Sequence, residues 1–138
     1  MSAEKIKIEA LINGSPDKVY QLWTEPEHIT KWNFASDDWC CPSAENDLRV
    51  GGIYKSRMEA KDGSFGFDFE GRYEEVSPSE KLVSSLADGR QVETTFEEEA
   101  GSTRVMTRFD PESQNSIEMQ REGWQAILDN FKKYAETH

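Results

Sequence analysis

Acid–base, metal and covalent chemistry each need particular side chains gathered at one place, and this 138-residue sequence holds few of them. Its two histidines are His28, between Glu27 and Ile29, and His138, the last residue. A catalytic metal takes three protein ligands, and no ligand-spaced cluster surrounds either histidine. Cys40 and Cys41 are adjacent. Neighbouring Cβ atoms of an extended chain point to opposite sides, which disfavours a disulfide between them, and the pair lacks Cys-x-x-Cys spacing. Asp37 and Asp38 beside them oppose thiolate formation, so both read as reduced, structural thiols. The sequence contains no Gly-x-Ser-x-Gly, phosphate loop or Gly-x-Gly-x-x-Gly. The glycines of Lys61-Asp62-Gly63-Ser64-Phe65-Gly66 join strand to strand and read as a turn. Asp38, Glu45 and His28 are the residues from which a cyclase, dehydratase or hydrolase would have to draw its acid or base. No catalytic residue, metal ligand or cofactor is assigned, and the reading leans away from an enzyme.

One segment is more polar than stability requires. Asn33, Ser36, Asp37, Asp38, Trp39, Glu45, Asn46, Asp47 and Arg49 crowd polar groups around two tryptophans. Buried charges need partners, so the cluster reads first as a brace between helix and sheet, and second as the rim of a pocket.

Over the whole chain, 27 acidic against 16 basic residues give a net charge of −11 and a pI near 4.6. Phosphate contact needs a Lys/Arg surplus, so nucleic acid is excluded as a partner, and an anionic membrane surface would repel the chain likewise. No apolar run approaches the roughly 18–20 residues that span a bilayer, and Met1–Lys5 shows no apolar leader stretch. A cytoplasmic single domain over residues 1–138 is expected, monomeric or homodimeric. Aromatic residues at 11% argue against acidic disorder.

Ile6, Ile8, Ala10 and Ile12 alternate along Lys5–Ile12 and predict a half-buried strand. Ser15-Pro16-Asp17 gives an N-cap, a proline at the first helical position and an acid in the first turn. Val19, Tyr20, Leu22 and Trp23 supply that helix with an apolar stripe, and Pro26 begins a second short helix through Trp32. A loop and an extended segment closing at Gly52 follow. Strands are then predicted at Gly52–Ala60, Phe65–Val76, Lys81–Ala87, Gln91–Glu98 and Thr103–Phe109, parted by turns at Asp62-Gly63, Ser77-Pro78, Asp88-Gly89 and Ala100-Gly101. Ile117, Trp124, Ile127, Leu128, Phe131 and Tyr134 share one face of a helix over Ile117–Glu136. A helix so apolar on one side must be covered, and the concave face of a curved antiparallel sheet is what can cover it. The expected fold is α+β, with six to seven strands wrapped around the C-terminal helix.

Strand parity then sorts the inner face. It takes Tyr54, Ser56 and Met58 from one strand and Phe65, Phe67, Phe69, Gly71 and Tyr73 from the next. Leu82, Ser84, Leu86, Val92, Thr94 and Phe96 follow, with Thr103, Val105, Thr107 and Phe109 from the last strand. These positions hold aromatics and hydroxyls and no Asp, Glu, Lys, Arg, His or Cys. An apolar or aromatic small molecule is the expected occupant of any gap beneath the helix. Trp32, Trp39, Tyr54, Met58, Phe67 and Phe69 would give it contact area, joined by Phe96, Trp124 and Leu128, while Ser56, Ser84 and Thr94 would orient it.

Several runs carry a family resemblance: Ser15-Pro16-Asp17-Lys18-Val19-Tyr20, Pro26–Trp32, Asp47-Leu48-Arg49-Val50-Gly51-Gly52 and Gly71-Arg72-Tyr73-Glu74-Glu75-Val76 with Ser77-Pro78. Gly123-Trp124 followed by Leu128-Asp129-Asn130-Phe131 completes the set. The chain resembles the START-like (SRPBCC) superfamily, in the branch similar to activator of the 90-kDa heat-shock protein (Hsp) ATPase. The resemblance implies a helix-grip fold with a deep cavity between sheet and long helix, where superfamily members hold lipids, sterols, polyketides or other apolar molecules and some are cyclases or hydrolases. It also implies a possible Hsp-type chaperone partner and a stress-response role.

Overall fold

The computed structural model describes residues 5–137. The first strand, β1 (Ile6–Ile12), buries Ile6, Ile8 and Ile12, the alternation that its sequence predicts. Helix α1 (Pro16–Thr24) begins where the Ser15 hydroxyl accepts the Lys18 N–H, satisfying one of the free donors of a first turn. It buries Val19, Tyr20 and Leu22. Helix α2 (Pro26–Trp32) follows at once and buries Ile29 and Trp32.

Six strands come next: β2 (Trp39–Asn46), β3 (Ile53–Ala60), β4 (Gly66–Ser77), β5 (Lys81–Leu86), β6 (Gln91–Glu99) and β7 (Ser102–Phe109). The chain ends in α3 (Ile117–Glu136), capped by Ser116, whose hydroxyl accepts the Met119 N–H at 3.1 Å. All pairings are antiparallel, in the order β1-β7-β6-β5-β4-β3-β2. The sheet thus runs as a meander from β2 to β7, closed at its far side by β1. Two register shifts bend it, at Cys40/Ser43 in β2 and at Tyr73/Glu75 in β4, and such bulges increase local twist.

β2 is a full strand where the sequence predicts loop and ill-defined extension. Its Pro42 and bulge break the alternation that marks a strand, and as an edge strand it pairs with β3 alone. The polar segment does brace helix to sheet, through an amide and not through its charges. Arg49 is exposed and pairs with Asp47, two residues away, while Asn46 makes the tie between helix and sheet. Its Nδ2 donates to the Thr24 carbonyl of α1 at 2.6 Å, and its Oδ1 accepts the Tyr73 hydroxyl of β4 at 2.6 Å. The Asp47–Gly52 loop owes its shape to a missing side chain: a Cβ at Gly52 would stand 2.0 Å from the Asp47 carbonyl oxygen.

Helix α3 lies across the concave side but off centre, packing along β1 and against α1 and α2. Phe131, fully buried, meets the stacked pair of Trp23 and Trp32 edge-on, with ring centroids 4.9 and 4.8 Å away. Trp124 stacks on Phe109 of β7 at 3.8 Å. Asn130 donates to the Trp32 carbonyl at 2.8 Å, and the Trp32 indole to the Leu22 carbonyl at 3.0 Å. Three residues predicted inside are exposed, Phe67 at the rim of the sheet's inner face among them. Ile117 is 42% exposed, at the first turn of α3 beyond the sheet, and Phe65 is 61% exposed, since β4 begins one residue later and Phe65 belongs to the turn.

Candidate functional site

Cross-strand register sets the inner wall. Ile8 faces Thr107, Thr107 faces Thr94 and Thr94 faces Leu82, a row in which the two threonine hydroxyls bond each other at 3.0 Å. The next row runs Phe109, Val92, Ser84, Tyr73, and the one after it Leu86, Gly71, Tyr54, Asn46. Because α3 covers the β1 side, the space over β3–β5 is only partly filled. A cavity of about 480 Å³ remains between these rows, α2 and α3.

Of the residues predicted to line such a gap, the structure brings Trp32, Tyr54, Met58, Phe69, Trp124 and Leu128 to it, together with Phe67 at its exposed edge. Ser56, Ser84 and Thr94 are also there. Trp39 and Phe96 are placed elsewhere. Trp39 sits with Phe65 and Phe67 at the β3–β4 hairpin, centroids 6.0 and 6.2 Å away. Phe96 is buried against Tyr20 and Trp23 under α1. Parity gives a face; it does not say which part of that face a helix fills.

Sequence reasoning missed Trp23 and Gln120 as lining residues, and it had Tyr73 on the inner face and Asn46 in the polar segment without assigning either to the cavity that all four line. Gln120 is the least expected. Its amide accepts the Glu112 N–H and donates to the Glu112 and Asn115 carbonyls, tying the loop before α3 to the helix. Its position between Ile117 and Trp124 on the apolar stripe was the available signal. Charged residues also reach the lining, contrary to the expectation of a wall without them. They are Glu45 from β2, Arg90 from the β5–β6 turn and Glu112 from the loop before α3, and all three keep solvent contact. Parity within predicted strands is blind to turns, and to a strand not recognised as one. Arg90 is tied to Asp88 through its Nε at 2.7 Å.

The deeper polar groups are neutral. The Tyr54 and Ser84 hydroxyls lie 2.9 Å apart. Burial pushes the Tyr54 hydroxyl up from its ordinary value, with the Ser84 bond pulling back. Tyr73 is pushed up by burial and then by Tyr54, against the pull of Asn46. Both stay protonated in the physiological range.

The acid and base candidates are scattered. Asp38 is exposed and outside the lining, and His28 points to α3, its Nδ1 2.6 Å from the Tyr134 hydroxyl. Among the described residues, Glu25, Glu27 and His28 do bring ligand-type atoms within 4.8 Å of one another. That group was missed because α2 begins between its members, and it lies outside the cavity lining. Burial pushes the Cys41 thiol up, the largest of the influences on it, which leaves it a poor nucleophile. No helix among the described residues is long and apolar enough to cross a membrane.

Comparison with known proteins adds a family to this geometry. A family model described as activator of Hsp90 ATPase homolog 1-like protein matches residues 13–136. The chain is 44% identical to an AHSA1-like protein from Aeromonas hydrophila solved by NMR, with a TM-score of 0.91 over 96% of this chain and 92% of that one. A protein of Cytophaga hutchinsonii is 42% identical, with a TM-score of 0.84 over 98% of this chain and 94% of that one. A Chromobacterium violaceum protein at 23% identity shares the fold, with a TM-score of 0.86 over 97% of this chain and 99% of that one. No curated protein matches.

Proposed function

The chain belongs to the family of activator of Hsp90 ATPase homolog 1-like proteins, and from that premise we propose that it is a binding module for a small apolar or aromatic molecule. The observation that carries this reading is a hollow of about 480 Å³ inside a domain of this size. Its volume falls in the range of about 300–1,000 Å³ typical of ligand sites, where apolar walls surround a few convergent polar groups. Trp32, Tyr54, Met58, Phe69, Trp124 and Leu128 would contribute contact area, while Ser56, Ser84 and Thr94 would orient the guest. A cytoplasmic setting goes with this reading, as Cys40 and Cys41 are both free thiols.

Native mass spectrometry of protein purified from its own host, together with titration by the apolar dye Nile red, tests the proposal. A co-purifying small molecule, or saturable dye binding that Trp124→Ala or Met58→Ala weakens, is expected. Absence of both overturns it.

The family match favours a second reading, a co-chaperone-like interaction. Its test is stimulation of Hsp90 ATP turnover by this chain alone, and an unchanged turnover removes it.

A further inference from the structure

Gly71 and Tyr54 face each other across β4 and β3. A Cβ built on Gly71 would stand 2.3 Å from the Tyr54 hydroxyl oxygen and 2.4 Å from Cζ. The phenol therefore lies flat across the glycine backbone, and its hydroxyl passes over β4 to reach Ser84 on β5. Tyr73, 5.1 Å away by ring centroid, flanks it. No other residue type at position 71 leaves room for this ring. We propose, building on the cavity reading above, that Gly71, Tyr54 and Ser84 form the station that selects the ligand's polar group, and that the group selected is an uncharged hydroxyl or carbonyl.

Hydrogen-bond accounting supports the choice. A phenol and a serine hydroxyl each bring one proton and acceptor lone pairs. Their mutual bond uses one proton, so the pair still offers one O–H and free lone pairs, and both residues line the cavity. That is the complement of a hydroxyl or a carbonyl. An anion is disfavoured at the same spot. Its desolvation is costly without a counter-charge, and the neighbours Tyr73 and Ser56 are neutral. Arg90 is the cation that reaches the lining, and Asp88 already holds it.

Calorimetric titration of the full chain with naphthalene, 2-naphthol and 2-naphthoate tests this. 2-Naphthol is expected to bind about threefold to tenfold tighter than naphthalene, the worth of one hydrogen bond, and 2-naphthoate more weakly than either. In Tyr54→Phe and Ser84→Ala the naphthol-to-naphthalene ratio is expected to fall towards about 1, with circular dichroism reporting that each variant is folded. Equal affinity for naphthol and naphthalene in the wild type, tightest binding of naphthoate, or a ratio that survives both substitutions overturns the proposal. Nile red binding without a naphthol preference overturns this proposal alone. Failure of all three probes and of Nile red overturns the cavity reading as well.

Discussion

Asn46 uses both ends of one amide to hold the C-terminus of α1 and the phenol of Tyr73. Asn46→Ala orphans both partners, and a loss of about 2 kcal/mol is expected, read as a lower urea midpoint at unchanged slope. Gly71 makes a sharper case, because the cost of filling it depends on one other residue. Gly71→Ala should destabilise by about 1–3 kcal/mol through overpacking, and most of that cost should vanish in a Tyr54→Ala background, a coupling that a double-mutant cycle measures. The same phenols set an alkaline limit. In the folded protein Tyr54 and Tyr73 hold their protons above the ordinary value of 10.0. Above about pH 10 the unfolded chain therefore binds fewer protons than the folded one, and stability falls as pH rises. Below that value the contribution is fully present. Urea midpoints measured across this window should decline less steeply in Tyr73→Phe than in the wild type.

At the scale of elements, α3 is held by its apolar stripe more than by its caps. Phe131→Ala removes the ring that packs edge-on against the stacked Trp23 and Trp32 and should cost about 3–5 kcal/mol. Ser116→Ala removes one cap bond and should cost about 1 kcal/mol; thermal melts of the two variants separate the contributions. The helix spacing from Ile117 to Tyr134 and the alternation in β1 made these elements legible in the sequence, with α3 falling over the predicted residues. β2 was not legible. An edge strand interrupted by Pro42 and a bulge has neither the alternation nor the second partner that would announce it. The polar segment at its end was legible as a brace between helix and sheet, but which member makes the tie was not: it is Asn46, an uncharged residue with no periodic signature.

For the molecule as a whole, the sequence shows that sheet and helix must face each other, while the cavity depends on how far off centre the helix lies. Periodicity carries no such information. Trp124, Leu128 and Tyr54 could be placed on an inner face from their spacing, yet the separation of Phe96, packed under α1, from Phe69, beside the hollow, is a matter of tertiary packing. The glutamate, arginine and glutamate that reach the lining come from segments whose course only the folded chain defines. A ligand that binds the folded form alone should stabilise it, by about 2.7 kcal/mol at a hundredfold excess over Kd, visible as a concentration-dependent rise in Tm.

Three of the four tryptophans, Trp23, Trp32 and Trp124, border the hollow, and Trp39 stands apart at the hairpin. Trp39→Phe would leave every indole chromophore looking onto the same interior. Such a variant carries its own label-free optical sensor: its ultraviolet emission, in colour and in lifetime, becomes a direct gauge of whether the chamber is wet, dry or filled.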